Sequence, residues 1–268
     1  MTKSQIINSA IKFTNESPGN YVSTETAISQ EYVGMRIYDS PIFAFGAPDD
    51  KLYIKYKSPD VVGNHFMAPS EWLPSAKTVI SFFLPYTERI KSANARDNSW
   101  PADEFLHGSY DGRVFLKSLT AYVNRLLLEA GYESLIPTDD PRYGMGSGDV
   151  RFTSNWSERH IAYACGLGTF GLSGGIITAK GMSGRLGSVV TTLDLPKDSR
   201  PYKGTYEYCT MCGICMSHCP AQAISFEGGK AHLPCSSFLD KTREKHKPMY
   251  GCGKCQVGVP CESGIPVA

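Results

Sequence analysis

The sequence of 268 residues predicts an α/β (α+β) body over residues 1–200 followed by a ferredoxin-like domain over residues 201–268. Three observations carry that expectation. Eight of the nine cysteines fall in the last sixty residues, which separates a cysteine-poor body from a thiol-rich tail. Within the body, an unbroken apolar run at 78–84 is followed by a long amphipathic stretch at 111–131 and then by further short apolar runs, the strand, helix, strand order of an α/β protein. At 41% hydrophobic residues the chain has material for one sizeable core and a small appendage.

In chain order, residues 3–15 place Ile6, Ile7, Ala10, Ile11 and Phe13 on one helical face. Residues 41–46 read as a buried strand, and 51–57 alternate Leu52, Ile54 and Tyr56 as a looser one. The stretch 59–74 is rich in Pro, Gly and Asn and reads as a long loop, in which His65 is a solvated histidine before it is a ligand. Residues 78–84, ended by Pro85, suit a central strand covered on both faces. In the helix at 111–131, Phe115, Leu119, Tyr122, Leu126 and Ala130 recur at steps of three and four, with Gly131 where a C-cap belongs. A strand follows at 133–137, and then a glycine-bearing loop at 139–149.

Ser154 or Ser157 can cap a helix running through Ala164. The segment 166–171 matches G-x-G-x-x-G, but a dinucleotide fingerprint needs a strand before it and a helix after it, and here the order is reversed. Cys165, outside the thiol run, reads as a small buried residue. Residues 176–177 and 186–193 give two more strands; Arg185 between them is either a surface ion pair or a contact for an anionic ligand.

The tail opens its chemistry at Cys209, Cys212, Cys215 and Cys219, closed by Pro220. Bacterial-type ferredoxins bind 4Fe-4S clusters with this spacing, and the thiol before the proline goes to the other cluster. Adding Cys235, Cys252, Cys255 and Cys261 gives the eight thiols that two cubanes need. Cys209, Cys212, Cys215 and Cys261 are assigned to one cluster, and Cys219, Cys235, Cys252 and Cys255 to the other. Structural zinc is the competing reading of the C-x2-C pairs. Between the halves, residues 223–234 read as a hairpin turning at Gly228 and Gly229. The mainly basic stretch 241–247 is a solvated helix face or a docking surface for an acidic electron carrier such as flavodoxin or ferredoxin.

Charge and hydropathy bound the partners. With 27 basic against 26 acidic residues, the global balance gives no support to nucleic-acid binding. No apolar run approaches the roughly 20 residues of a membrane span, and no secretory or twin-arginine leader is evident, so a cytoplasmic location is expected.

The run Glu158-Arg159-His160-Ile161-Ala162-Tyr163-Ala164-Cys165-Gly166-Leu167-Gly168 resembles the E-R-x-x-A-x-x-A-G-L-G stretch of epoxyqueuosine reductases, and its distance to the thiol tail is also similar. Likeness extends to Trp72-Leu73-Pro74, the Gly108 region and Leu186-Gly187, so it covers residues from about 70 onward. Those enzymes and the corrinoid reductive dehalogenases share a nitroreductase-like domain that holds cobalamin without a histidine ligand beside two 4Fe-4S clusters. The D-x-H-x-x-G signature of histidine-ligated cobalamin is indeed missing here. One departure is chemical: where the epoxyqueuosine enzymes carry a proton-donating aspartate, six positions before the glutamate, this chain has Phe152. The family's helical-repeat extension for tRNA also has no counterpart in the sequence.

The resemblance implies an iron-sulfur reductase, with cobalamin as cofactor and flavin as the alternative, and the departures from the family pattern imply a small-molecule substrate other than tRNA. A non-enzymatic electron-transfer or corrinoid-activating protein is the rival. Gly168, Thr169, Phe170, Gly171, Leu172 and Arg185 are the expected cofactor contacts. Tyr110 and Asp149 are the foremost candidate acids, with Asp111 and Asp139 behind them.

Overall fold

The computed structural model describes residues 1–147 and 152–267. In chain order its elements are α1 (Lys3–Glu16), β1 (Ile42–Gly46), α2 (Leu52–Tyr56), α3 (Pro69–Trp72), β2 (Thr78–Pro85), α4 (Glu88–Asn94), α5 (Asp103–Glu129), β3 (Ser134–Leu135), α6 (Glu158–Cys165), β4 (Gly168–Phe170), β5 (Ile176–Thr178) and β6 (Gly184–Thr191). The tail adds α7 (Ile214–Ser217), β7 (Ile224–Ser225), β8 (Gly229–Lys230) and α8 (His232–His246).

β2 organises the body because its side chains are apolar on both faces and all eight residues are buried. It pairs antiparallel with β1 on one side and β6 on the other, and β3 closes the sheet in the order β1-β2-β6-β3. Successive side chains on a strand point to opposite faces. Ile80, Phe82 and Leu84 therefore enter a core with Ile6 of α1, Ile90 of α4, and Phe115, Leu119 and Val123 of α5. Val79 and Phe83 enter a second core with Tyr53 and Tyr56 of α2, Trp72 of α3, and Ile161 and Ala162 of α6. Every pairing in this sheet is antiparallel, so the body is the α+β form of the expected class.

Three local readings change. Residues 52–56 form helix α2 rather than a strand, because Tyr53 and Tyr56, three apart, are the buried pair while Ile54 is exposed. The loop at 59–74 contains the short helix α3. The long helix starts at Asp103. Its first half is buried nearly all round, from Glu104 to Ser109 and at Asp111 and Gly112, so no one-sided periodicity marks it. Tyr110 and Asp111 consequently lie within a helix and not at its edge.

The tail docks through polar bonds that converge beside the thiols. Asn94 Nδ2 donates to the Cys252 carbonyl at 2.9 Å, Lys254 Nζ to the Asn94 carbonyl at 2.7 Å, and Met182 N to the Cys261 carbonyl at 2.9 Å. The approach is close enough to require glycine. A Cβ on Gly253, whose φ is +63°, would stand 2.1 Å from the Phe105 ring.

Candidate metal centre and adjoining cavities

The thiols sort into two groups of four. Cys219, Cys235, Cys252 and Cys255 line a cavity of about 270 Å³, and Cys209, Cys212, Cys215 and Cys261 line a separate, tighter one. Charge coupling divides them the same way. Cys261 feels Cys209, Cys215 and Cys212, whereas Cys252 feels Cys255, Cys235 and Cys219. Cys215 also feels Cys255, so the two groups adjoin. Burial, and then the neighbouring thiols, push Cys252 and Cys261 up to about 12 and Cys215 to about 11. Only a strongly positive centre would ionise such a set.

Local backbone bends bring the thiols together. Met211 and Gly213 both have positive φ, at 51° and 75°, turning the chain between Cys209 and Cys215. The β7–β8 hairpin, with Gly229 at φ 59°, returns the chain so that the first turn of α8 presents Cys235. Lys230 on β8 is held above its ordinary value by Cys255 in the first place, and Cys235 partly offsets the burial that lowers Arg159. Two cations thus stand beside the second group.

Sulfurs on one tetrahedral zinc, each about 2.3 Å from the ion, lie only about 3.8 Å apart. Among the described residues, no three His, Cys, Asp or Glu side chains converge closely enough for a single ion. Thiols around a cubane bind different irons, so a ring of four about a cavity fits a cluster better than a point ion.

Two further cavities connect with the second thiol group. One of about 250 Å³ lies between α6 and β6, lined by Glu158, Arg159, Arg185, Phe83, Ile176, Met182 and Gln256. It shares Gly184, Arg185 and Gln256 with the thiol cavity. The other, of about 630 Å³, has walls from Tyr56, His160, Tyr163, Phe170, Gly171, Leu172, Gly174, Gly228 and Gly229, and shares Arg159 with the cavity of 250 Å³.

The expected cofactor contacts separate on this map. Phe170, Gly171 and Leu172 face the large cavity, and Gly171 and Leu172 also border the first thiol group. Gly168 and Thr169 are buried behind that wall, where Thr169 Oγ1 accepts from Tyr208 N at 2.9 Å. Arg185 faces the other two cavities. Its Nε donates to Tyr86 Oη at 3.1 Å and its Nη2 to Ser109 Oγ at 3.2 Å. Tyr110 lines none of these spaces. Asp111 is tied to His107 Nδ1 at 2.7 Å, and Asp149 lies outside the described residues. Phe152 stacks on His232, itself in the wall of the large cavity, with ring centroids 5.6 Å apart.

Two residues gain importance that the sequence reading did not name as candidates. Glu158, the first residue of α6, faces the cavity of 250 Å³ while protein encloses it, and that enclosure pushes its carboxyl up to about 7. Ser188 Oγ donates to its Oε2 at 2.7 Å and accepts from Trp156 Nε1 at 3.0 Å. His160 lies in the large cavity against Tyr56 and Phe170, and burial lowers it to about 4. The only sequence signal for either was membership in the run at 158–168.

Paired four-thiol sites beside ligand-sized cavities on an α+β scaffold define a ferredoxin-type iron-sulfur protein. Residues 203–225 match the 4Fe-4S binding domain family. The chain is 25% identical to the epoxyqueuosine reductase of Bacillus cereus over 213 residues, covering 74% of this chain and 51% of that protein. A tetrachloroethene reductive dehalogenase of Desulfitobacterium hafniense is 43% identical over 114 residues, 40% of this chain and 21% of the relative. Among solved structures, an epoxyqueuosine reductase in complex with an epoxyqueuosine-modified tRNA stem loop superposes with a TM-score of 0.54 at 19% identity, covering 99% of this chain and 67% of that one. A catabolic reductive dehalogenase with bound 3-bromo-4-hydroxybenzoic acid gives 0.55 at 15%, over 98% and 37%. The chain spans about half the length of the curated epoxyqueuosine reductase it matches. In sequence and in fold the chain is thus similar to epoxyqueuosine reductases and, over a shorter stretch, to reductive dehalogenases.

Proposed function

We propose that this chain is a reductase in which two 4Fe-4S clusters deliver electrons to a site in the α+β body. The observation that carries the reading is the division of eight thiols into two adjoining fours, one of which opens toward Arg185 and the cavity of Glu158. Cys209, Cys212, Cys215 and Cys261 would hold one cluster, and Cys219, Cys235, Cys252 and Cys255 the other. Lys230 and Arg159 would offset the charge of the second cluster. The boundary between body and cluster domain is assigned near residue 200.

The lining of the large cavity supports a corrinoid as its guest. Gly171, Gly174, Gly228 and Gly229 leave stretches of bare backbone that a broad ring can approach, flanked by Tyr56, Tyr163 and Phe170. When bound, cobalamin supplies a strongly reducing cobalt centre. The chain's own part is to present Phe170, Gly171 and Leu172 as a wall next to the first thiol group. His160, kept neutral by burial, would add an uncharged edge to that space.

The electron donor is assigned to the flavodoxin or ferredoxin class. α8 carries Cys235 and exposes Lys241, Arg243 and Lys245, so an acidic carrier docked there would sit beside the second cluster. The substrate is assigned as a small molecule in the cytoplasm rather than tRNA, on the strength of Phe152 and the near-neutral charge. Anaerobically purified protein should contain about eight iron atoms per chain and take up cobalamin stoichiometrically after reconstitution. Zinc in place of iron would defeat the cluster reading. Tight flavin binding would move the cofactor assignment, and intact clusters with no uptake of either cofactor would leave an electron-transfer protein.

A further inference from the structure

The cavity of 250 Å³ between α6 and β6 holds groups that the thiol sites do not use. At one side stands the Glu158 carboxyl, bonded by Ser188; Arg159 and Arg185 also face the space, and Phe83, Ile176 and Met182 supply apolar walls. Among the described residues, neither arginine forms a salt bridge with a carboxylate. Arg185 spends its bonds on neutral oxygens of Tyr86 and Ser109, and Arg159 Nη1 donates to the Gly174 carbonyl at 2.9 Å. Carboxyl and guanidinium groups that share a cavity without pairing leave room for a guest that meets both. The volume falls just below the range of about 300–1,000 Å³ found for drug-sized ligands, so the guest is small.

Resting on the two-cluster reading above, we propose that this cavity binds a small organic anion through Arg185 and Arg159, and that Glu158 donates the proton to the substrate atom being reduced. When a carbon–carbon double bond of the guest takes up two electrons, its π bond breaks and two C–H bonds form, one with the proton released as the Glu158 O–H bond breaks and the other with a proton from water. The remaining carboxylate regains a proton from water. The two electrons come singly from a reduced ferredoxin-class donor through the thiol-held centres. Burial keeps Glu158 protonated to about pH 7, so the acid is charged with its proton at neutral pH. The titratable groups lining the same cavity are Arg159 on α6 and Arg185 on β6; β2 contributes Phe83 and α5 contributes Leu116.

Two measurements on anaerobic protein with its metal centres test this, with iron content and electron paramagnetic resonance recorded on the same samples to report the clusters separately. In infrared difference spectra between pH 6 and pH 8, a protonated carboxylic acid band should titrate near pH 7, vanish in Glu158→Gln and return in Glu158→Asp. Benzoate, as the probe anion, should bind in calorimetry, weaken about tenfold in Arg185→Gln and recover partly in Arg185→Lys. It should also shift the carboxyl band. A band that survives Glu158→Gln, or no saturable benzoate binding, or binding indifferent to Arg185→Gln, overturns the proposal even where the iron and resonance data uphold the clusters.

Discussion

Glu158 and His160 stand two residues apart on α6 and respond to pH in opposite ways. The Glu158 carboxyl, ordinarily near 4.5, is raised to about 7 by burial. The native state therefore binds its proton more tightly than the unfolded chain does. The stability this confers is complete below pH 4.5 and is lost as pH rises through about 7, a span worth about 3 kcal/mol. Glu158→Gln removes the charge, and its side-chain carbonyl can still accept from Ser188. Urea denaturation should show the variant more stable than wild type by about 3 kcal/mol at pH 8.5, with most of that difference gone at pH 5.5. Equal midpoints at both pH values would mean that Glu158 titrates as an exposed carboxyl. His160 is lowered from 6.5 to about 4, so its contribution is present above pH 6.5 and declines as pH falls toward 4.

Among the elements, β2 transmits the sequence pattern most directly. Its residues feed both cores, and Phe82 is fully buried with its ring 5.4 Å from that of Phe43. Phe82→Ala should cost about 3–5 kcal/mol in chemical denaturation, while Val114→Ala on the outer face of α5, where Val114 is 63% exposed, should stay within about 0.5 kcal/mol. Strand β2 was legible because an unbroken apolar run can serve only a doubly covered position. Helix α1 was legible for a different reason: Ile6 and Ala10 repeat at four, and the structure adds a capping box between Thr2 and Gln5. The start of α5 was hidden because Phe105, Leu106, His107 and Ser109 are buried on several sides at once, which erases the one-sided period. The same reasoning divides the site. Thiol spacing is a local property and could be read from the sequence, whereas the cavity of Glu158 and Arg185 joins α6 to β6 across the fold, and no short-range pattern records that meeting.

At the scale of the molecule, the two regions are held together by unlike forces. The body has two large apolar cores on either face of its sheet, while among the described residues the tail's own apolar cluster has Leu172, Cys215, Ile224 and Val259 as its buried members, and Leu172 comes from the body. So small a core cannot offset the ordering of some sixty residues, and bound metal must supply much of the difference. Raised thiol pKa values point the same way, since neutral thiols without their metal contribute little cohesion. Removing iron with a chelator should therefore loosen the tail and leave the body folded. In limited trypsin digestion, the metal-depleted protein should be cut at Lys230, Lys241 and Arg243 while a fragment covering the body resists. The metal-loaded protein should resist at Lys230, which sits beside Cys235 and Cys255. Cys235→Ser and Cys261→Ser should each lower the iron content by about half, because they belong to different groups of four. Should the depleted protein resist trypsin as well as the loaded one, hydrogen bonds such as Asn94 to Cys252 and Lys254 to Asn94 would be sufficient to hold the tail, and the clusters would serve electron transfer without stabilising the fold.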